Sequence, residues 1–104
     1  MLKMNKLKIY YVYILTNKNK TVLYVGVTNN LQRRLTEHIN HVDHINAFTK
    51  RYNCYHLIYF EEHDDVNLAI EREKKLKGWR REKKNNLISG FNPGWNFLEG
   101  EFIV

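Results

Sequence analysis

The stretch IYYVYILTNKNKTVLYVGV, Ile9 to Val27, decides the reading of this chain. Ile9 to Thr16 and Thr21 to Val27 are both apolar, β-branched and aromatic, with Asn17-Lys18-Asn19-Lys20 between them. Two such runs around a short polar loop predict a β-hairpin. A symmetric closure of that loop sets Tyr13 directly opposite Tyr24. Directly opposed residues share a face of the sheet, so two phenols are expected side by side there. Gly26 follows with no side chain to block access. An aromatic cross-strand pair can also simply pack, and the hairpin alone does not separate packing from chemistry.

Further along, Asn29 or Asn30 is a suitable N-cap for a helix from Leu31 to about Asn40, with Leu31, Leu35 and Ile39 as its buried stripe. A short helix is expected from His44 to Lys50, and a third strand from Cys54 to Glu61. Asp64 or Asp65 would then cap a long helical stretch that Gly78 either breaks or kinks, resuming from Trp79 to about Ser89. Asn92-Pro93-Gly94 stops it. Trp95 to Leu98 should fold back on the body to cover its aromatics. The expected architecture is α+β, a small three-stranded sheet, mainly antiparallel, flanked by helices. A chain of 104 residues suits a single domain, with its core at about 9–98 and a flexible tail at 1–8.

The bulk properties narrow the partners. The net charge is +6, and Arg72 to Lys84 supplies all of it, with eight basic residues against Glu73 and Glu82. A concentrated basic face predicts a polyanion, most simply nucleic acid, although a solvated helix surface has the same composition. Cys54 is the sole cysteine, so no internal disulfide forms, and a reducing cytoplasm is expected. No run is long enough to span a membrane.

Three side chains resist a purely structural reading. Glu73 falls within the apolar stripe Val66, Ala69, Ile70 and Leu76. A carboxylate there needs an ionic partner or a metal, and Mg2+ is often held by one or two carboxylates plus phosphate oxygens and water. Arg34, one turn into its helix, could clamp a phosphate bidentately. His38 shares a stripe with Arg34 and suits proton transfer. His38, His41 and His44 invite a zinc site, but no carboxylate or cysteine at ligand spacing completes one.

Together these positions resemble the GIY-YIG nuclease family. Tyr11-Val12-Tyr13 stands at the first motif, with Tyr11 where the family name has glycine, and Tyr24-Val25-Gly26 stands at the second. Arg34 matches the family's helix arginine, His38 its histidine or tyrosine, and Glu73 its metal-binding glutamate. Asn96, in Asn92-Pro93-Gly94-Trp95-Asn96, looks like the closing asparagine. The likeness is greatest to the stand-alone, single-domain bacterial subgroup and extends to the N-terminal nuclease domain of the repair excinuclease. It implies a DNA endonuclease using one Mg2+ or Mn2+, in DNA repair or recombination. In that scheme Glu73 holds the metal and Arg34 a phosphate oxygen. Tyr13 orients or deprotonates water, with Arg34 and the metal favouring its phenolate. Tyr24 supports Tyr13, and His38 relays a proton. Lys74, Lys77, Arg80, Arg81 and Lys84 would hold the backbone of DNA, RNA remaining open, by a monomeric protein that meets no membrane. The competing expectation is a non-catalytic nucleic-acid-binding module of the same fold.

Overall fold

A computed structural model describes residues 8–40 and 47–103. Its sheet has three strands, β1 (Tyr10–Thr16), β2 (Leu23–Thr28) and β3 (His56–His63), in the order β2-β1-β3. Both pairings are antiparallel. The expected tail at 1–8 lies, but for Lys8, outside the described residues, as do His41, His44 and the start of the short helix.

The hairpin forms, but in a different register from the symmetric one. Tyr13 pairs with Gly26, and Tyr24 pairs with Leu15. The loop chemistry explains the shift. The Asn17 side-chain oxygen accepts from the backbone N–H of Thr21 at 2.8 Å and of Val22 at 3.1 Å. The Thr16 hydroxyl donates to the Val22 carbonyl at 2.7 Å, and Lys20 takes a left-handed φ of 60°. Thr21 and Val22 thus belong to the turn, and β2 starts only at Leu23. The slip is two residues, an even number, so Tyr13 and Tyr24 still share a face and meet diagonally.

Helix α1 (Leu31–Ile39) is capped by Asn30, whose side chain accepts from the Arg33 N–H at 3.0 Å. Its buried residues are Leu31, Leu35 and His38, while Ile39 is 42% exposed. At 3.6 residues per turn, position 38 points within about 20° of Leu31 and position 39 about 80° away. Helix α2 (Ala47–Tyr52) ends on Asn53 at a φ of 56°. The Cys54 N–H then bonds back to the Thr49 carbonyl, so β3 begins at His56 instead of Cys54.

Asp65 caps α3 (Val66–Lys77) by accepting from the N–H groups of Asn67 and Leu68. Gly78 ends that helix, and α4 (Arg81–Phe91) starts afresh. Ala69 and Leu76 are the buried residues of α3; Val66 and Ile70, expected inside, are exposed. After α4, the buried Asn92 amide donates to the carbonyls of Ile58 at 3.0 Å and Asn96 at 2.9 Å. This pins the Asn92-Pro93-Gly94 turn to β3. The tail then follows the β3 edge as expected. Leu98 N–H reaches the Leu57 carbonyl, and the Glu99 carboxylate takes Leu57 N–H and His56.

The sheet is buried on both faces. Val12, Ile14, Val25, Ile58 and Tyr59 pack against Ala69, Leu76 and Ile88 of α3 and α4. Tyr13, Leu15 and Leu57 pack against Leu31 and Leu35 of α1, with Leu98 and Phe102 closing that side. In this core a Cβ on Gly26 would lie 2.5 Å from Tyr13 Cζ and 2.6 Å from its hydroxyl oxygen. Gly26→Ala is therefore expected to destabilise the fold by about 1–3 kcal/mol, the range for overpacking a filled core. Chemical denaturation measures it; an unchanged midpoint would mean that the ring is not held over Gly26.

Candidate active site

Tyr13 lies opposite Gly26, and β2 is an edge strand. The phenol tip passes over Gly26, where a side chain would collide with it. Gly26 thus makes room for the Tyr13 ring, rather than for an incoming ligand. The ring is fully buried. Burial is the largest influence on its hydroxyl and raises its pKa well above the ordinary phenol value; the neighbouring Tyr24 adds to this. Arg34 opposes them, and Glu73 and Glu37 raise it further. The expectation was that Arg34 and a metal together tilt Tyr13 toward phenolate; Arg34 alone does not, because desolvation outweighs one guanidinium and leaves the group a neutral donor at pH 7.

Tyr24 is the hub of the exposed side of this group. Its ring centroid stands 6.4 Å from those of Tyr13 and His38. Phe48, on α2, is 6.0 Å away, and the Lys77 ammonium is 5.9 Å from the Tyr24 centroid. His38 is buried, with Nδ1 3.2 Å from the Thr49 hydroxyl and Nε2 without a hydrogen bond among the described residues. Burial first, then Arg34, lower its pKa to about 4, against a smaller pull from Glu37. His38 is accordingly neutral at neutral pH.

Arg34 is 33% exposed, yet its Nε is buried with no hydrogen bond among the described residues. Glu37 Oε1 stands 3.5 Å from that same Nε as an ion-pair partner. A buried guanidinium N–H held only by a long ion pair is incompletely satisfied, so it favours arrival of a closer anionic oxygen. Glu73 is the acidic member. Its side chain is 14% exposed, and the Lys77 ammonium sits 2.8 Å from Oε2. Among the described residues no group of three or more histidine, cysteine, aspartate or glutamate side chains could hold a metal. A hard ion at Glu73 would thus depend on this carboxylate with phosphate oxygens and water, a donor set that suits Mg2+ or Mn2+.

Other expected members fall elsewhere. Tyr11 packs against Phe60 and Phe102 under the tail. Asn96 is exposed and tied through its backbone to Asn92 beside β3, across β1 from Tyr24. Arg81, expected on nucleic acid, donates Nη1 to the Thr21 carbonyl at 2.9 Å and Nη2 to Lys20 at 3.1 Å. Its guanidinium braces the hairpin turn, a use that helix position alone does not reveal. Arg72 likewise clamps both Glu61 oxygens, anchoring α3 to β3. Lys74 and Arg80 are exposed, and Lys84 joins Tyr24, Phe48 and Lys77 around an open groove of about 310 Å3. Thr49, Phe48 and the Lys77–Glu73 pair went unread in the sequence; the i, i+4 spacing of Glu73 and Lys77 was the available signal for the last.

The state of His38 has a consequence for acid stability. Its folded pKa lies below the value near 6.5 of an exposed imidazole, so the unfolded chain binds its proton first. Stability should fall as pH drops from about 6.5 toward 4, by at most about 1.4 kcal/mol per pH unit from this group. Chemical denaturation across that range should give a shallower loss for His38→Gln than for wild type. Parallel curves would show that His38 is not held neutral.

Comparison with known proteins identifies the family. The GIY-YIG catalytic domain matches residues 9–86. The UPF0213 protein of Natronomonas pharaonis is 32% identical over 77% of this chain and 91% of its own length. That of Clostridium perfringens is 38% identical over 76% of this chain and 82% of its own. The solution structure of a UPF0213 protein from Bacillus halodurans aligns with a TM-score of 0.50 at 25% identity, over 78% of this chain and 83% of that one. With a domain match across most of its length and relatives of similar extent, the chain belongs to the GIY-YIG family and is similar to its stand-alone UPF0213 proteins.

Proposed function

We propose that this protein is an endonuclease that hydrolyses DNA phosphodiester bonds with one Mg2+ or Mn2+ ion. The observation that carries the reading is the buried Arg34 Nε, which has only a long 3.5 Å ion pair to Glu37 and no hydrogen bond among the described residues, together with the half-buried Glu73, both acting on the buried Tyr13 hydroxyl. An N–H donor and a carboxylate converging on one edge of a sheet suit a phosphate that must be gripped and charge-balanced.

Phosphodiester hydrolysis builds negative charge on the phosphorus oxygens and needs a nucleophile at neutral pH. Arg34 would take a non-bridging oxygen through Nε. Glu73 would hold the ion, which when bound supplies Lewis-acid stabilisation of that charge. Lys77, now on Glu73, would move to a phosphate. Tyr13, kept protonated by burial, suits orienting the attacking water better than deprotonating it. Tyr24 supports Tyr13 from the diagonal position, and the neutral His38 has one ring nitrogen without a hydrogen bond among the described residues for proton exchange. Lys74, Arg80 and Lys84 would steer the strand without reading sequence.

A second reading, binding without cleavage, draws support from the Lys77–Glu73 pair, because an internal ammonium already neutralises the carboxylate. Cleavage assays separate the two. On a panel of single-stranded, duplex, flapped and branched DNA, wild type with Mg2+ should cut, and chelation should stop it. Glu73→Ala should abolish cutting while binding is kept or tightened, since a negative charge near phosphates is removed. Tyr13→Phe should lose about 10²-fold or more in turnover. Wild-type cutting by Glu73→Ala would remove the carboxylate from the site; no cutting by wild type on any substrate would leave the binding reading.

A further inference from the structure

Three aromatic side chains form a row that the catalytic reading does not use in full. Tyr24 on β2 faces Phe48 on α2 at 6.0 Å, with 31° between ring planes. Phe48 faces Tyr52, one helical turn on, at 4.7 Å and 48°. Phe48 is 40% exposed and Tyr52 39%, so the row presents aromatic surface to solvent. Cations accompany it. Lys77 lies over Tyr24, and the Arg51 guanidinium lies 5.3 Å from the Tyr52 centroid. Lys84 lines the groove between Tyr24 and Phe48.

Aromatic side chains with about two-fifths of their surface exposed beside the proposed catalytic group suit a ligand with flat faces, and the flanking cations suit one with negative charge. Unpaired nucleotides have both. A duplex hides its base faces in the stack and offers only its two ends, whereas a single strand can lay successive bases on aromatic rings. We propose that Tyr24, Phe48 and Tyr52 form a stacking platform for unpaired nucleobases, so that substrate enters the site through a single-stranded segment. This rests on the nuclease reading above and specifies its substrate class. Lys84 and Arg51 would carry the phosphates of that segment, with Lys77 between it and Glu73.

The test is fluorescence anisotropy of the full chain in EDTA, at one fixed salt concentration, with three probes of equal length. These are an oligothymidylate, the same strand with abasic residues replacing the bases, and a blunt duplex. Wild type should bind the thymidylate about tenfold or more tightly than the abasic strand, the scale of base–aromatic stacking. Phe48→Ala and Tyr52→Ala should bring that ratio toward one, Phe48→Leu should do so while keeping apolar bulk, and Phe48→Trp should preserve it. Equal binding of thymidylate and abasic strands by wild type would overturn the platform, as would tighter binding of the duplex. An unchanged ratio in Phe48→Leu and Tyr52→Ala would overturn it too. These binding results are independent of turnover. A base-dependent protein that cuts nothing loses only the nuclease reading, and one that cuts without base preference loses only the platform.

Discussion

The contact between the Tyr13 ring and the bare backbone of Gly26 is the constraint on which the rest of this structure depends. It lets a buried tyrosine on the central strand reach across the edge strand. There its hydroxyl comes under the electrostatic influence of Tyr24, Arg34 and Glu73. Any side chain at position 26 would collide with that ring. The same contact removes the phenol from water, and desolvation then fixes its protonation state against the pull of Arg34.

The helices supply the rest from both sides of the sheet. Helix α1 buries Leu31 and Leu35 on the Tyr13 face and so carries Arg34 and His38 with it. Helix α3 buries Ala69 and Leu76 on the other face, and the Arg72–Glu61 clamp ties it to β3. Glu73, between those buried residues in sequence, is brought to the edge with Lys77 one turn later. Oppositely charged groups thus converge on an edge strand without a buried cluster of charge, which would be costly to desolvate.

Much of this was legible in the sequence, because hydrophobic period and capping residues act locally. The three strands, the Asn30 and Asp65 caps, the break at Gly78 and the stop at Asn92 all follow from such rules. The hairpin register did not, because Asn17 draws two backbone N–H groups into the turn and a length count cannot see that bond. The even shift kept both tyrosines on one face, so they still meet, diagonally. His38 replaced Ile39 in the core because helical phase outweighed hydropathy. The Arg81 brace on the hairpin turn joins segments far apart in the chain, which no local pattern announces. Asn96 matched a motif by spacing but is held near β3 by Asn92.

The central claim is that Arg34 is shaped to bind a phosphate oxygen at the moment of cleavage, and its lysine variant tests this most directly. Lysine keeps the charge but lacks the buried Nε–H and the planar fork. Single-turnover cleavage by Arg34→Lys under saturating protein isolates the chemical step from binding. The account predicts a rate about 10²-fold or more below wild type, the scale of losing one preorganised donor, with affinity for DNA in EDTA little changed. Cleavage at the wild-type rate would contradict it, because charge alone would then suffice and the buried Nε–H would have no part in the reaction.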